Sequence, residues 1–298
     1  MNRLATAKRA QILGMLVEGM SMRATSRVAG VAYNTVVKLL LDAGRAAAIY
    51  HDENVRSVSS SRIECDEVWG FVYAKEKNVA RAKTAPDGAG SVWCWKALDV
   101  DSKLIVSWMI GGRDADTAVD FMVDLRSRLE NRVQLTTDGY PAYIEAVEAA
   151  FGGEVDYAML VKSFRKGWRG AIAPEARYSP SAPVSAKRTA IQGMPDISKV
   201  STSYVERSNL TLRMGTRRMT RLTNAFSKRL RNHMSAMALY FLHYNFCRMH
   251  RTIKCTPAMA AGLDTTVRDC DWIVGLIDAQ AQKPRRPRTY RKRGHISN

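Results

Sequence analysis

The chain has 298 residues, of which 46% are hydrophobic and 25% are charged, close to the averages for globular proteins. This composition excludes a fibrous repeat and a wholly disordered chain. No apolar run reaches the roughly 18 to 20 residues of a membrane span, so we expect no membrane partner. The five cysteines include no CxxC pair, and the N-terminus lacks a signal-peptide pattern, which predicts a cytoplasmic location.

The formal net charge is +18, and it is distributed unevenly along the chain. Residues 161–298 carry 27 basic and 7 acidic side chains, whereas residues 61–160 carry 11 basic and 17 acidic ones. A basic excess of this size predicts a polyanionic partner, and nucleic acid is favoured over a membrane surface. Seven of the eleven residues in 283–293 are basic, which indicates either a disordered arm that contacts phosphates or a solvated tail.

Three short helices are predicted in the first 48 residues. The first covers 6–17, Ser21 caps the second and Gly30 ends it, and the third runs from near Tyr33 to Gly44. The tight turn between the second and third helices is typical of a helix-turn-helix, with a plain three-helix bundle as the alternative. In a helix-turn-helix the third helix would offer these residues to the major groove of DNA: Tyr33, Asn34, Thr35 and Lys38.

After residue 61 the apolar pattern changes from a helical to a strand period. Strands are predicted at 63–74, 92–100, 104–110, 133–137 and 155–161, and helices at 114–129 and 141–151. This order predicts an α/β (α+β) fold, a mixed sheet with helices on its faces. Residues 162–200 lack periodicity and are interpreted as a loop insertion, and basic helices are predicted at 203–214 and 226–246.

Two acidic residues occupy strand positions that do not suit an ordinary surface carboxylate. Asp66 lies inside the first strand, and Asp138 stands at the carboxyl end of a later one. Functional groups gather beyond strand ends in such sheets, so we expect the two to converge. Adjacent carboxylates repel unless a cation holds them, and their oxygens suit Mg²⁺ or Mn²⁺. Strand periodicity does not choose Asp66 over Glu64, which shares its face, whereas Glu67 projects from the other face.

A third acid is needed for a second ion, and Glu206 is the candidate because it is nearly alone in a basic helix. Helical spacing places Arg213 and Arg217 within about 20° of Glu206, on the same face. Such a face can hold a metal at one end and phosphates along the rest. The alternative for Glu206 is an intrahelical salt bridge.

Three segments carry a family resemblance: 65–69 (CDEVW), 136–140 (TTDGY) and 203–209 (SYVERSN). They resemble the catalytic blocks of DDE transposases encoded by bacterial insertion sequences, in particular the insertion-sequence-one family. Residues 243–251 (HYNFCRMHR) resemble the tail of that group. The resemblance implies a ribonuclease-H-like catalytic fold behind the helix-turn-helix. It also implies a catalytic and metal-binding triad, a basic residue seven positions after the last acid, and a pair of Mg²⁺ ions with Mn²⁺ as substitute. The triad is Asp66, Asp138 and Glu206, and the basic residue is Arg213.

The implied reaction is metal-dependent phosphoryl transfer that cuts DNA at the ends of the element and joins them to a target. The expected partners are double-stranded DNA, as terminal inverted repeats and target, and further copies of the chain on that DNA, in the nucleoid of a bacterium. The rival hypothesis is a catalytically inactive or domesticated copy that acts as a DNA-binding regulator.

The predicted domains are a helix-turn-helix domain at 1–48, a linker at 49–61, a catalytic domain at 62–263 with the insertion at 162–200, and a C-terminal helix and basic tail at 264–298.

A further constellation lies in the last long predicted helix. His243, Cys247 and His250 recur at helical spacing, with Cys255 beyond them, which can hold zinc. Neighbouring aromatic residues make an ordinary core helix sufficient, and His250 is alternatively assigned to a DNA phosphate beside the active site.

Overall fold

A computed structural model describes residues 3–164, 183–220 and 223–281 of the chain. The basic arm predicted at 283–293 and the central part of the predicted insertion, 165–182, lie outside the described residues. Among the helices of the described ranges, none has the length and apolar character needed to cross a bilayer.

A six-stranded mixed sheet forms the centre of the molecule, with strand order β3-β2-β1-β4-β5-β6. β1, β4 and β5 run parallel, while β2, β3 and β6 are antiparallel to their neighbours. The predicted mixed α/β class is confirmed. The strands are β1 (Arg62–Val72), β2 (Gly90–Asp99), β3 (Ile105–Gly111), β4 (Gln134–Asp138), β5 (Asp156–Phe164) and β6 (Pro183–Gln192).

Helices cover both faces of this sheet. Their bounds are α1 (Thr6–Val17), α2 (Met22–Ala29), α3 (Tyr33–Asn54), α4 (Glu76–Val79), α5 (Ala115–Arg128), α6 (Ala142–Phe151), α7 (Ser203–Gly215), α8 (Leu230–Phe246), α9 (Pro257–Ala260) and α10 (Cys270–Gln280). α5 and α6 pack on one face, where Trp95 of β2 meets Phe121 and Tyr143 at ring centroid distances of 5.8 and 5.5 Å. α7 and α8 cover the other face, where Trp108 of β3 packs on Phe241.

The N-terminal helices pack on this second helical layer instead of standing apart from it. α3 contacts both α8 and α10, and α1 contacts α10. Gly44 lies so close to α8 that a Cβ atom there would come within 2.4 Å of Ser235 Cα. Gly44 therefore allows a close helix crossing, and the prediction that it ends the third helix is wrong.

Three further expectations differ from the structure. The predicted linker at 49–61 begins inside α3, which continues to Asn54, because the apolar face of α3 is buried to its end; His51 is only 4% exposed. The predicted insertion at 162–200 contains β6, an edge strand whose described side chains are mostly exposed and so lack an alternating apolar pattern. Helical periodicity predicts that Val28 of α2 faces inward, but Val28 is 60% exposed.

Prediction of α2 and of the turn after it is supported by the local structure. The Ser21 side chain accepts a hydrogen bond from Ala24 N at 3.2 Å, and Gly30 ends the helix with φ of +62°. Whether this helical unit is a DNA-binding helix-turn-helix stays a prediction.

One buried amide attaches α8 to the edge strand β3. Asn245, fully buried, accepts from Ile105 N at 3.0 Å and donates to Ile105 O at 2.9 Å. We expect Asn245→Leu to lower the free energy of unfolding by about 1 to 3 kcal/mol, because the buried Ile105 N–H loses its acceptor. Urea denaturation measures this, with Asn54→Ala, on the exposed end of α3, as the control. Equal midpoints for Asn245→Leu and the parent protein would contradict this account.

Candidate active site

The two predicted aspartates meet where the parallel pairing of β1 with β4 ends. β1 and β4 pair in register up to Glu64 and Thr136, and Asp66 and Asp138 each lie two residues further on. Equal spacing beyond one register places both side chains at the same level. One oxygen each of Asp66, Glu67 and Asp138 lies within 4.8 Å of the others.

Asp66 is fixed on several sides. Its Oδ1 accepts from Glu67 N at 2.8 Å, and its Oδ2 accepts from Asn209 Nδ2 of α7 at 2.5 Å. Lys96, on the neighbouring strand β2, lies directly opposite Asp66. Burial, and then the charge of Asp138, raise the pKa of Asp66, while Lys96 opposes that rise. The raised pKa indicates that the negative charge of Asp66 is unfavourable unless a cation lies beside it.

Glu67 belongs to this acidic group although it projects from the other face of β1, as strand alternation predicts. The pairing of β1 with β4 ends at Glu64, so beyond that point carboxylates from both faces of β1 can approach Asp138 at the end of β4. Its Oε1 is buried and has no hydrogen-bond partner among the described residues. Burial and the charges of Asp138 and Asp66 raise the pKa of Glu67 to about 8. The sequence signal was an acid on a strand face that is otherwise apolar.

Arg113, which sequence reasoning missed, provides positive charge at this site. Its Nη2 lies 3.8 Å from both Glu67 Oε2 and Asp138 Oδ2. The guanidinium stacks over the rings of Tyr140 and Trp93, 4.2 and 5.0 Å from their centroids. Tyr140 also donates to Arg113 O at 2.9 Å. The aromatic rings hold Arg113 beside the carboxylates, where it reduces their mutual repulsion.

Glu206 lies in the first turn of α7 and is not part of this carboxylate group. Its Oε1 accepts from Thr202 Oγ1 at 2.7 Å and forms an ion pair with Lys162 of β5. The intrahelical salt bridge weighed for Glu206 is absent among the described ion pairs, since its partner comes from the sheet. The structure therefore brings Asp66 and Asp138 together and leaves Glu206 paired with a lysine.

Buried polar contacts attach α7 to the sheet next to the acids. Lys96 is fully buried and its Nζ donates to Ser208 Oγ at 2.7 Å and Val205 O at 3.3 Å. Glu64 Oε2 accepts from Val205 N at 2.9 Å. Burial is the main cause that raises the pKa of Glu64 to about 7. Glu64 and Lys96 thus set the position of the helix that carries Glu206.

The residues predicted to bind DNA differ in their exposure and in their hydrogen-bond and ion-pair partners. Tyr33, Asn34 and Lys38 are exposed on the first turns of α3, with Thr35 partly buried among them. Lys38 forms an ion pair with Asp42 at 2.6 Å. Exposure of three of the four keeps this helix end available for a contact.

The other three predicted DNA contacts stay predictions, but the predicted continuation of the α7 face to Arg217 is wrong. α7 ends at Gly215, because the chain turns into a short 3₁₀ helix at Arg217–Met219, so Arg217 is exposed but does not continue the face of Glu206. Arg213 donates to Met219 O at 2.9 Å and Trp69 O at 3.3 Å, which gives it a role in holding the backbone. His250 lies beyond the end of α8, and its backbone pairs with Cys255.

No zinc site forms from the histidines and cysteines of the described ranges. His243 and Cys247 belong to the end of α8, whereas His250 follows it, so the helical spacing on which the zinc interpretation depended does not continue.

Comparison with known proteins assigns no family to the chain. No family model matches it, and no curated protein matches it. A piggyBac transposase synaptic complex with hairpin DNA, solved by cryo-EM, is 11% identical with a TM-score of 0.42 over 95% of this chain and 73% of that one. The Mos1 strand transfer complex is 14% identical with a TM-score of 0.20 over 52% of this chain and 59% of that one.

The raised pKa of Glu67 predicts a pH dependence of stability without divalent ions. Folded Glu67 keeps its proton to about pH 8, whereas the unfolded side chain loses it near its ordinary value of 4.5. Between these values the folded state binds more protons, so the free energy of unfolding falls as pH rises. We expect Glu67→Gln to reduce that fall between pH 5 and 8 in urea denaturation. Glu145→Gln, on the exposed side of α6, serves as the control. If the free energy of unfolding of Glu67→Gln falls with pH as steeply as that of the parent protein, Glu67 does not have the raised pKa.

Proposed function

We propose that this protein is a DDE-type DNA transposase that uses divalent cations to cut and join DNA. The observation that carries the proposal is the meeting of Asp66, inside β1, with Asp138, at the end of the adjacent parallel strand β4, with a third carboxylate beside them. A structural role would not require like charges at one partly buried point, since their repulsion and desolvation destabilise the fold. A bound cation would reverse that cost.

The residues present fit a hard divalent cation. Three carboxylates converge, and oxygen donors of this kind suit Mg²⁺ or Mn²⁺ and not zinc. The unpartnered Oε1 of Glu67 is a further donor that the described residues leave unused. We propose that Asp66, Asp138 and Glu206 hold the pair of ions and that Glu67 supports them, once Glu206 exchanges Lys162 for metal.

Bound there, the cations would lower the pKa of a water molecule and neutralise negative charge that develops on the phosphate. The chain itself orients the donors. Asn209 and the Glu67 amide hold the two oxygens of Asp66, while Lys96 and Glu64 position α7. Arg113 balances charge at the same edge. No serine or tyrosine is needed as a covalent nucleophile, because water and then the DNA 3′ hydroxyl would supply the attacking oxygen.

The ribonuclease-H-like fold of the proposal is supported by the sheet itself. Three antiparallel strands, β3, β2 and β1, precede two strands that run parallel to β1, with α5 and α6 as connections. This topology places Asp66 of β1 beside Asp138 at the end of β4. The net charge of +18 and the exposed start of α3 support DNA as substrate.

A second candidate function is a DNA-binding regulator without catalytic activity. The observation in its favour is that Glu206 lies outside the carboxylate group and is paired with Lys162. On this hypothesis the Glu206 pairing is permanent, and the protein binds DNA without cutting it. Cleavage separates the two candidates.

The decisive experiment is Asp138→Asn, assayed on DNA that carries matched inverted ends recovered from the flanking genome. We expect Mg²⁺-dependent cleavage to fall at least about a hundredfold, because the variant loses a metal-binding charge at the reacting phosphate, while DNA binding is retained. Asp120→Asn, on the exposed side of α5, is the matched control. Cleavage at the parent rate by Asp138→Asn would refute the proposal.

Two glutamate variants distinguish the proposed third ligand from its neighbour. We expect Glu206→Gln to abolish cleavage as Asp138→Asn does, and Glu67→Gln to reduce it less, because Glu67 only supports the proposed ligands. The measurement is the single-turnover cleavage rate in Mg²⁺ and in Mn²⁺. A fully active Glu206→Gln with an inactive Glu67→Gln would transfer the third position to Glu67.

A further inference from the structure

An open cavity of about 420 Å³ separates the N-terminal helices from the segment that follows α7. The end of α1, the start of α2 and Tyr33 of α3 line one side. Residues 216–218 and 223–228 line the other, and α8 forms the base through Asn232, Ala236, Leu239 and Tyr240. The cavity thus lies where the predicted DNA-binding helices meet the region of the proposed active site.

The side chains around this cavity carry positive charge without compensation. Arg23, Arg217, Arg218 and Lys228 line it, and no Asp or Glu is among its described lining residues. Arg217 is exposed, and its side chain makes no hydrogen bond or ion pair with a described residue. Arg23 contacts the Tyr33 ring and Lys228 the Phe226 ring, at 5.6 and 4.0 Å from the centroids. These contacts leave the charges available to an anion.

Arg218 is the innermost of these cations. Its Nη1 donates to Ser227 Oγ at 2.8 Å and to Asn232 O at 2.6 Å, which fixes the guanidinium. Its Nη2 has only the sulfur of Met22, 3.5 Å away, and a thioether is a weak acceptor. No described carboxylate pairs with it, and burial lowers the pKa of Arg218 to about 10. A fixed, largely buried cation without a counterion is a binding site for an anion.

The inner wall of the cavity contributes further polar groups. Thr216 and Tyr240 are each 5% exposed, and their hydroxyl groups have no hydrogen-bond partner among the described residues. An apolar contact between two helical layers would not place unpartnered hydroxyls at its centre.

We propose that this cavity binds one phosphodiester of duplex DNA, with Arg218 inside and Arg23 and Arg217 at the mouth. The DNA source is favoured over a free anion because the same cavity is bordered by the N-terminus of α3. That helix begins at Tyr33, which lines the cavity, and its exposed residues Asn34 and Lys38 lie in the same first turns.

The position of the cavity gives the contact a purpose. A Cβ at Gly19, after α1, would come within 2.9 Å of Met214 O, so the end of α1 packs directly on the end of α7. α7 also carries Glu206 and Asn209. A phosphate held between α3 and residues 217–218 therefore fixes the duplex relative to the helix that forms one side of the proposed active site.

The test measures binding of an arbitrary-sequence duplex in EDTA as a function of salt concentration. The slope of log affinity against log salt reports the number of phosphate contacts, about 0.9 for each. We expect Arg218→Gln and Arg217→Ala each to weaken duplex binding and reduce the slope, by no more than about one in total because both contact a single phosphate, with equal weakening for arbitrary and element-end DNA. Arg45→Ala is the matched control. Arg45 is exposed on α3, roughly 18 Å along the helix from Tyr33, so this variant should keep the parent slope.

Arg217 is exposed, so Arg217→Ala keeps the test informative if Arg218→Gln fails to fold. Parent slopes in both variants would overturn the proposal. It would also be overturned if inorganic phosphate raised the melting temperature of the parent but not of Arg218→Gln while the DNA slopes stayed equal, since the cavity would then take a free anion.

The inference rests on the proposed function only for its DNA partner. A parent protein that binds duplex through this cavity but never cleaves would refute the transposase alone, and cleavage with unchanged slopes would refute the cavity alone. Absence of duplex binding by the parent would refute both.

Discussion

The repulsion between Asp66 and Asp138 is the constraint on which the rest of the site depends. Parallel pairing of β1 with β4 places both carboxylates at one level, and Glu67 adds a third. Water does not fully screen them, because Asp66 is partly buried and Glu67 only 8% exposed. The surrounding residues partly offset this negative charge. Arg113 lies near Glu67 and Asp138, the charge of Lys96 lowers the pKa of Asp66, and Asn209 donates a hydrogen bond to Asp66.

The same residues explain why α7 lies where it does. An isolated buried cation at Lys96 would destabilise the fold. Lys96 instead lies opposite Asp66 on the neighbouring strand and donates hydrogen bonds to two groups of α7. Glu64, two residues before Asp66, accepts from the α7 backbone. Charge balance and helix position are therefore coupled. The position of α7 places Glu206 on this side of the sheet, where it forms an ion pair with Lys162. The proposed metal site would form if Glu206 exchanged Lys162 for a metal ion.

The N-terminal helices are part of the same packing unit. Gly44 permits α3 to approach α8 closely, and Gly19 permits the end of α1 to reach α7. Because these contacts leave little freedom between the helices and the sheet, DNA bound at the start of α3 would have a defined direction toward the carboxylates. The basic cavity between them is consistent with that arrangement, since it concentrates cations where no described acid offsets them.

The sequence by itself determined five of the six described strands, most helices and the two aspartates, because these follow from local apolar periodicity and from acids in apolar strands. Only the tertiary structure decided the membership of Glu67, the role of Arg113 and the partner of Glu206. Glu67 joins the group because β1 loses its neighbour beyond Glu64, and Arg113 is held by rings distant in the chain. β6 and the final turns of α3 were missed for the same reason: long-range pairing and burial stabilise them, and neither leaves a local period in the residues concerned.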